Sequence, residues 1–309
     1  MKIVFMGTPE FSVTVLESLY KIAEYEIVGV VSQPDKKVGR KQVLTPSPVS
    51  CFALSHNLPL FRIESIRKEF AQIVELDPDI IITCAYGQIV PIEILQSPKY
   101  GCINVHASLL PKYRGGSPIE YALLNGDKRT GITIMYMDLL MDNGDIITQE
   151  DLEILDSDNL ETLTTRLSIL GRDLLIRTLP SIFNGTNKRI KQDEKGATYA
   201  YNLKHEEEHL DFNCTCFEVF NKVRALSPRV GAFVSLNGQV IKIYDGYKTE
   251  DKSNKKPGTI EKIYKDGIGV STKDFVYVIV ELQVAGKKKM SAKNYLAGIH
   301  HDLVGEVYE

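Results

Sequence analysis

At 309 residues and 43% hydrophobic, with a formal net charge of −3, the chain has the makeup of a globular protein with one large core or two smaller ones. That balance excludes a disordered polyelectrolyte, and no run approaches the roughly 18 apolar residues that a membrane helix requires. Its five cysteines, Cys51, Cys84, Cys102, Cys214 and Cys216, are odd in number and irregular in spacing, which argues against a disulfide framework and for a reducing, cytoplasmic setting.

In chain order, Lys2–Met6 is a short apolar run ending in Gly7-Thr8-Pro9-Glu10, after which Phe11, Val15, Leu16 and Leu19 recur at helical spacing. The breaks at Gly7, Pro9 and Glu10 make this a strand, a turn and a helix rather than a signal peptide. The turn lacks G-x-G-x-x-G, so nothing indicates a nicotinamide or flavin cofactor. Ile27–Val31 reads as a second buried strand. Lys36, Lys37, Arg40 and Lys41 then crowd the loop before Pro46, an arrangement that by itself describes a solvated basic face. A helix is expected over Val49–His56, and strands over Asp79–Thr83, Ile103–Val105 and Ile132–Met137. A long helix covers Asn159–Phe183. β-Branched runs alternating with helices predict a Rossmann-like α/β domain, its parallel sheet covered on both faces and its ligands bound beyond the carboxyl ends of the strands.

The helical pattern stops near Asn184-Gly185, and a polar stretch follows. The expected division is therefore a catalytic domain over 1–189, a linker over 190–208 and a C-terminal domain over 209–309. From Phe233 the pattern becomes short alternating strands: Phe233–Leu236, Val240–Tyr244, Gly258–Ile263, Ile268–Ser271 and Phe275–Leu282. The dipeptides Asn237-Gly238, Asp245-Gly246 and Asp266-Gly267 read as turns between them. Five such strands suggest a small β-barrel of the oligonucleotide-binding (OB-like) kind. Between Lys222 and Lys293 there are 15 Lys and Arg against 7 Asp and Glu, so a basic module follows an acidic one. His205-Glu206-Glu207-Glu208-His209 matches the H-E-x-x-H zinc pattern, but it lies in a polar stretch with no apolar helix face to bury a metal. It reads as a solvated charge run, and no metal is expected.

The chemistry-bearing residues are Asn104 and His106, two apart on an extended segment and so on one face, and Asp142 in a later loop. An amide donor beside an imidazole suits attack on a neutral carbonyl whose oxygen becomes negative, and a carboxylate suits fixing the imidazole's tautomer and charge. These residues belong to a longer string, Gly101-Cys102-Ile103-Asn104-Val105-His106-Ala107-Ser108-Leu109-Leu110-Pro111-Lys112-Tyr113-Arg114-Gly115-Gly116, followed by Gly131-Ile132-Thr133 and Met141-Asp142-Asn143-Gly144-Asp145. The string resembles the core of the folate-dependent formyltransferases. So does the opening Phe5-Met6-Gly7-Thr8-Pro9-Glu10-Phe11.

The resemblance implies catalytic roles for Asn104, His106 and Asp142, and a site for the donor 10-formyltetrahydrofolate lined by Ser108, Leu109, Leu110 and Pro111. Gly39 to Val49, Val223-Arg224-Ala225-Leu226-Ser227-Pro228 and Gly286-Lys287-Lys288-Lys289-Met290 are similar to the branch of that family acting on methionyl-tRNA. That branch implies initiator methionyl-tRNA as partner, gripped by Arg40 and Lys41 in the first domain and by Lys287, Lys288 and Lys289 in the second, with phosphate contacts supplying most of the affinity. A sugar-nucleotide formyltransferase shares the Asn/His/Asp core and is the alternative. A non-catalytic RNA-binding module would need no such constellation. Asp211-Phe212 stands where the family commonly has Asp-Trp, and the chain has no tryptophan at all. No oligomer and no membrane association are implied.

Overall fold

The computed structural model describes residues 1–39 and 41–309, and contacts divide it into two units. The first comprises Met1–Pro118, Arg129–Glu153 and Thr164–Tyr201; the second comprises Ile119–Lys128, Ile154–Leu163 and Asn202–Glu309.

The first unit is built on strands β1 (Lys2–Gly7), β2 (Glu26–Ser32), β3 (Lys36–Val38), β4 (Val43–Thr45), β5 (Leu60–Arg62), β6 (Ile80–Cys84), β7 (Cys102–His106), β8 (Arg129–Tyr136) and β9 (Ile146–Glu153). Helices α1 (Glu10–Tyr20), α2 (Pro48–Ser55), α3 (Ala71–Val74) and α4 (Ile92–Leu95) connect them, and most of α6 (Leu160–Phe183) belongs to this unit, whereas α5 (Pro118–Leu124) falls, all but Pro118, in the second. The main sheet runs β5-β2-β1-β6-β7-β8-β9, while β3 and β4 pair as a separate ribbon.

Residues 3–7 of β1 are buried without alternation, as in a strand covered on both faces. Gly7 lets α1 begin against the sheet: a Cβ there would lie 2.7 Å from Ser12 Cβ and 2.9 Å from the Cys84 carbonyl oxygen. The Ser12 hydroxyl donates to that carbonyl, tying the start of α1 to the end of β6. Ser47 caps α2 by accepting from the Ser50 amide, with Pro48 at the first helical position.

The sheet is mixed rather than wholly parallel. The pairs from β5 to β7 are parallel, but β8 runs antiparallel to β7 and β9 antiparallel to β8. The apolar pattern of Ile132–Met137 marks a buried strand whichever way it points, so direction is not legible in it. The reversal matters for the site. Tyr136 pairs with Ile103, so the loop after β8 leaves beside the start of β7, not beyond its carboxyl end.

The stretch expected as a linker over 190–208 is not free. Ile190 bridges Ile146, and the Thr198 and Ala200 backbone bonds both sides of Arg114. Residues 190–201 therefore belong to the first unit, whereas 119–128 and 154–163 group with the C-terminal residues. There Arg224 donates to the Leu155 carbonyl at 3.0 Å, and Lys248 pairs with Asp156 at 3.1 Å.

The remaining strands of the second unit are β10 (Ala232–Leu236), β11 (Gln239–Lys252), β12 (Ile260–Ile263), β13 (Ile268–Ser271), β14 (Phe275–Val284) and β15 (Met290–Ser291), with helices α7 (Cys216–Leu226) and α8 (Ala292–Ala297). The antiparallel order is β10-β11-β14-β13-β12, with β15 on β14. The last residues join its two edges: Glu309 exchanges backbone bonds with Ser235 of β10, and Thr259, beside β12, bridges Val307. Asn237-Gly238 forms the expected turn with positive φ at both residues, +51° and +76°. Asp245-Gly246 does not turn. The strand passes through it with a register shift, because Gly246 lies against the Tyr277 hydroxyl and the Val278 carbonyl, 2.3 and 2.4 Å from where a Cβ would stand. Helix α7 starts with a capping box, Thr215 accepting from the Glu218 amide while Glu218 accepts from the Thr215 amide. Phe212 is buried against Tyr308 and fills the core without a tryptophan.

Candidate active site

Strand β7 carries Asn104 and His106 on one face, and the loop after β8 brings Asp142 to them. Asn104 is half-buried and His106 is 5% exposed. Thr83, the neighbour of Asn104 on β6, donates its hydroxyl to Asn104 Oδ1 at 2.9 Å. That bond orients the amide: Oδ1 faces the hydroxyl and Nδ2 faces Asp142 Oδ1 at 3.4 Å.

His106 Nε2 lies 2.9 Å from the Tyr113 carbonyl oxygen. A carbonyl only accepts, so Nε2 carries the proton of the neutral ring and Nδ1 is the nitrogen that gains or loses one. Asp142 Oδ2 sits 3.7 Å from Nδ1, and it accepts instead from the Gly115 amide at 2.8 Å. The tautomer of His106 is thus set by Tyr113, not by Asp142 as the residue types alone suggested. Asp142 contributes a negative charge beside Nδ1, and its own oxygen is held by backbone.

Both holding groups come from one tripeptide, Tyr113 to Gly115. Gly115 takes φ +125°, and a Cβ there would lie 2.5 Å from the Ala200 carbonyl oxygen, so only glycine brings its amide to Asp142. Asp142 itself has a positive φ of +52°.

The expected donor-lining residues divide. Ser108 is fully buried, its hydroxyl donating to the Lys112 carbonyl at 2.6 Å, and Leu110 is buried as well. Leu109 and Pro111 are half-exposed. Thr133 donates to the Ser108 carbonyl at 2.6 Å and accepts from the Leu110 amide at 3.1 Å, while Gln149 donates to both the Leu110 carbonyl and Thr133 Oγ1 at 2.8 Å. Residues 108–111 therefore form a pinned segment next to His106, with Leu109 and Pro111 as its accessible side chains.

Arg40 lies outside the described residues. Lys36, Lys37 and Lys41 are exposed on the β3–β4 ribbon beside exposed Val38, Val43 and Leu44. In the second unit Lys287 and Lys288 are exposed, and Lys289 pairs with Glu281 at 2.9 Å and lies over the Tyr244 ring.

The cysteines near the site are not nucleophiles: burial pushes the Cys84 thiol up to about 12 and raises Cys102 as well. His205 opens a 3-10 turn, not an α-helix, and His209 follows its end. His205 bonds Glu208 at 2.7 Å, and both rings pack on Phe233. Among the described residues no group of three His, Cys, Asp or Glu is placed to hold a metal ion, and no helix is long and apolar enough to cross a membrane.

Sequence reasoning did not single out Thr83, Gly115, Arg114 or Gln192. Gly115 and Arg114 lie inside the quoted string but carry no separate signal of a role. Thr83 and Gln192 carry no local signal, since their partners are far away in sequence.

Comparison with known proteins shows the family to which the chain belongs. The family profile for formyl transferase matches residues 1–179, and that for the formyl transferase C-terminal domain matches residues 202–300. The methionyl-tRNA formyltransferase of Staphylococcus aureus strain MW2 is 47% identical over 308 residues, covering 99% of this chain and 98% of the relative. Among solved structures, an N-formyltransferase from Helicobacter canadensis in complex with folinic acid and dTDP-3-aminofucose superposes with a TM-score of 0.68 at 22% identity, over 94% of this chain and 100% of that one. HypX from Aquifex aeolicus in complex with tetrahydrofolic acid gives 0.65 at 15% identity, over 100% of this chain and 51% of its own. At such identities these two establish the fold alone.

Proposed function

The chain belongs to the formyl transferase family, and from that premise we propose that it moves the formyl group of 10-formyltetrahydrofolate to the α-amine of methionine on initiator tRNA, in the cytoplasm. The chemistry rests on one observation, the convergence of Asn104, His106 and Asp142, with Asn104 Nδ2 and His106 Nδ1 both turned toward the carboxylate. The choice of an aminoacylated tRNA over a small amine rests on the near full-length identity to a methionyl-tRNA enzyme.

The amine attacks the formyl carbon, a C–N bond forms, and the carbonyl oxygen becomes an oxyanion. Asn104 Nδ2 donates to it, because Thr83 has taken the other end of the amide. Protonated His106 donates from Nδ1, because Tyr113 has taken Nε2. The Asp142 carboxylate balances the imidazolium 3.7 Å away and carries the proton lost by the attacking nitrogen toward folate N10, whose C–N bond then breaks. The donor rests along Leu109 and Pro111, with Ser108 and Leu110 shaping that segment from beneath. Lys41 and Lys287 to Lys289, with Arg40, supply phosphate contacts to the tRNA.

A formyl-transfer assay comparing methionine-charged initiator and elongator tRNA tests the reading. Transfer to the initiator alone supports it. Transfer to an amino sugar nucleotide and to neither tRNA would replace it with the sugar-nucleotide alternative. Within this reading, Arg40→Ala raises the KM for tRNA about tenfold, the scale of one charge-assisted contact of about 1.5 kcal/mol, and leaves the folate KM unchanged. The reverse pattern would show that Arg40 serves the donor instead.

A further inference from the structure

We infer that Gln192 is a positioning residue for Asp142, held in place by a buried arginine; this deepens the proposed transfer chemistry and rests on it. The Gln192 amide nitrogen donates to two carbonyls of the catalytic loop, Asp142 at 2.8 Å and Gly144 at 2.9 Å. Its Oε1 accepts from Arg114 Nε at 3.1 Å and from the second guanidinium nitrogen at 2.9 Å. The network settles the amide orientation, since carbonyls only accept and guanidinium only donates. Arg114 is 2% exposed, and its other edge grips the Glu194 carboxylate with two bonds of 2.9 and 3.1 Å. That carboxylate beside it raises the arginine's pKa further, so the cation is permanent.

Three features make this more than scaffold. Asp142 is held in a left-handed conformation, which an aspartate leaves unless its neighbours oppose it. The two carbonyls gripped by Gln192 belong to Asp142 itself and to Gly144 two residues on, so the grip acts on the backbone that carries the carboxylate. Arg114 also lies between Tyr113 and Gly115, the residues whose backbone holds His106 and Asp142. One buried cation therefore ties the imidazole's acceptor, the carboxylate's donor and the loop's backbone into a single unit. Without Gln192, the Asp142 carboxylate keeps, among the described residues, the Gly115 amide and the distant Asn104 Nδ2 as its hydrogen-bond donors.

The test is a double-mutant cycle of Gln192→Met with Asp142→Asn, read in kcat and in the folate KM. Methionine keeps the length and offers no donor. Gln192→Met is expected to lower kcat about 10- to 10²-fold, the cost of a misplaced catalytic group, with the folate KM within about twofold. In the Asp142→Asn background the same change costs almost nothing, because the residue it positions is already disabled. Equal losses in both backgrounds would overturn the positioning role and leave the proposed chemistry standing. An Asp142→Asn enzyme with normal turnover would overturn both. Should Gln192→Met fail to fold, Arg114→Lys carries the same expectation: it keeps the charge but cannot serve Gln192 and Glu194 together.

Discussion

Replacing His106 by alanine is expected to lower kcat by about 10²–10⁴, the contribution of a positioned acid–base group, while the enzyme still folds. The imidazole is 5% exposed and lies between the Tyr113 carbonyl at 2.9 Å and Asp142 at 3.7 Å. Its removal leaves the Tyr113 carbonyl without this partner, which costs about 1–3 kcal/mol, so a modest fall in Tm accompanies the loss of turnover. Nothing in the apolar core touches that cost, and far-ultraviolet circular dichroism should be unchanged. Asn104→Ala removes the second oxyanion donor and is expected to cost about 10²–10³ in kcat. Because the two side chains stabilise the same charge, the double variant should fall well short of the product of the single effects. Turnover within a few-fold of the parent for His106→Ala would remove the proposed chemistry, whatever the Tm does.

Asn104 and His106 were legible in the sequence because a period of two is all a strand needs to put two side chains on one face. Asp142 was legible as a carboxylate from a later loop, but not where it comes in, since its loop starts beside the wrong end of β7 for a parallel sheet. The direction of β8 is not written in its residues: a buried strand looks the same read either way. The grip on Asp142 was hidden for a different reason. Gln192 and Glu194 sit in a polar stretch whose composition describes a linker, yet both side chains serve an arginine 78 and 80 residues away that is buried because they neutralise and bond it. Asp245-Gly246 misled in the opposite sense. Its glycine is required by close approach of Tyr277 and Val278, not by a turn, and a local pattern cannot tell those causes apart. The pairing of Ser235 with Glu309 was equally invisible, because a strand partner 74 residues off leaves no periodic trace.

Gly144→Ala should be nearly as damaging to turnover as losing His106, although the side chain added is a single methyl. A Cβ on Gly144 would lie 1.9 Å from the Tyr136 carbonyl oxygen, a backbone atom at the end of β8 that cannot rotate away. The loop must shift instead, and it carries Asp142 two residues earlier. Both carbonyls held by Gln192 move with it, along with the Asp145 carbonyl that accepts from the Tyr136 amide at 2.9 Å. The expected result is a fall in kcat of about 10² from misplacement of the carboxylate. The stability cost should stay at the about 1–3 kcal/mol typical of overpacking, since the apolar core is untouched. Gly185→Ala is the matched control. Gly185 has a positive φ of +67° but open space around its Cβ, so alanine there costs only about 1 kcal/mol of backbone strain and leaves kcat at the parental value. If the two substitutions lowered Tm and kcat alike, turnover would be following global stability rather than the placement of Asp142. A large kcat loss confined to Gly144→Ala would tie catalysis to this one backbone approach between the loop and the last residue of β8.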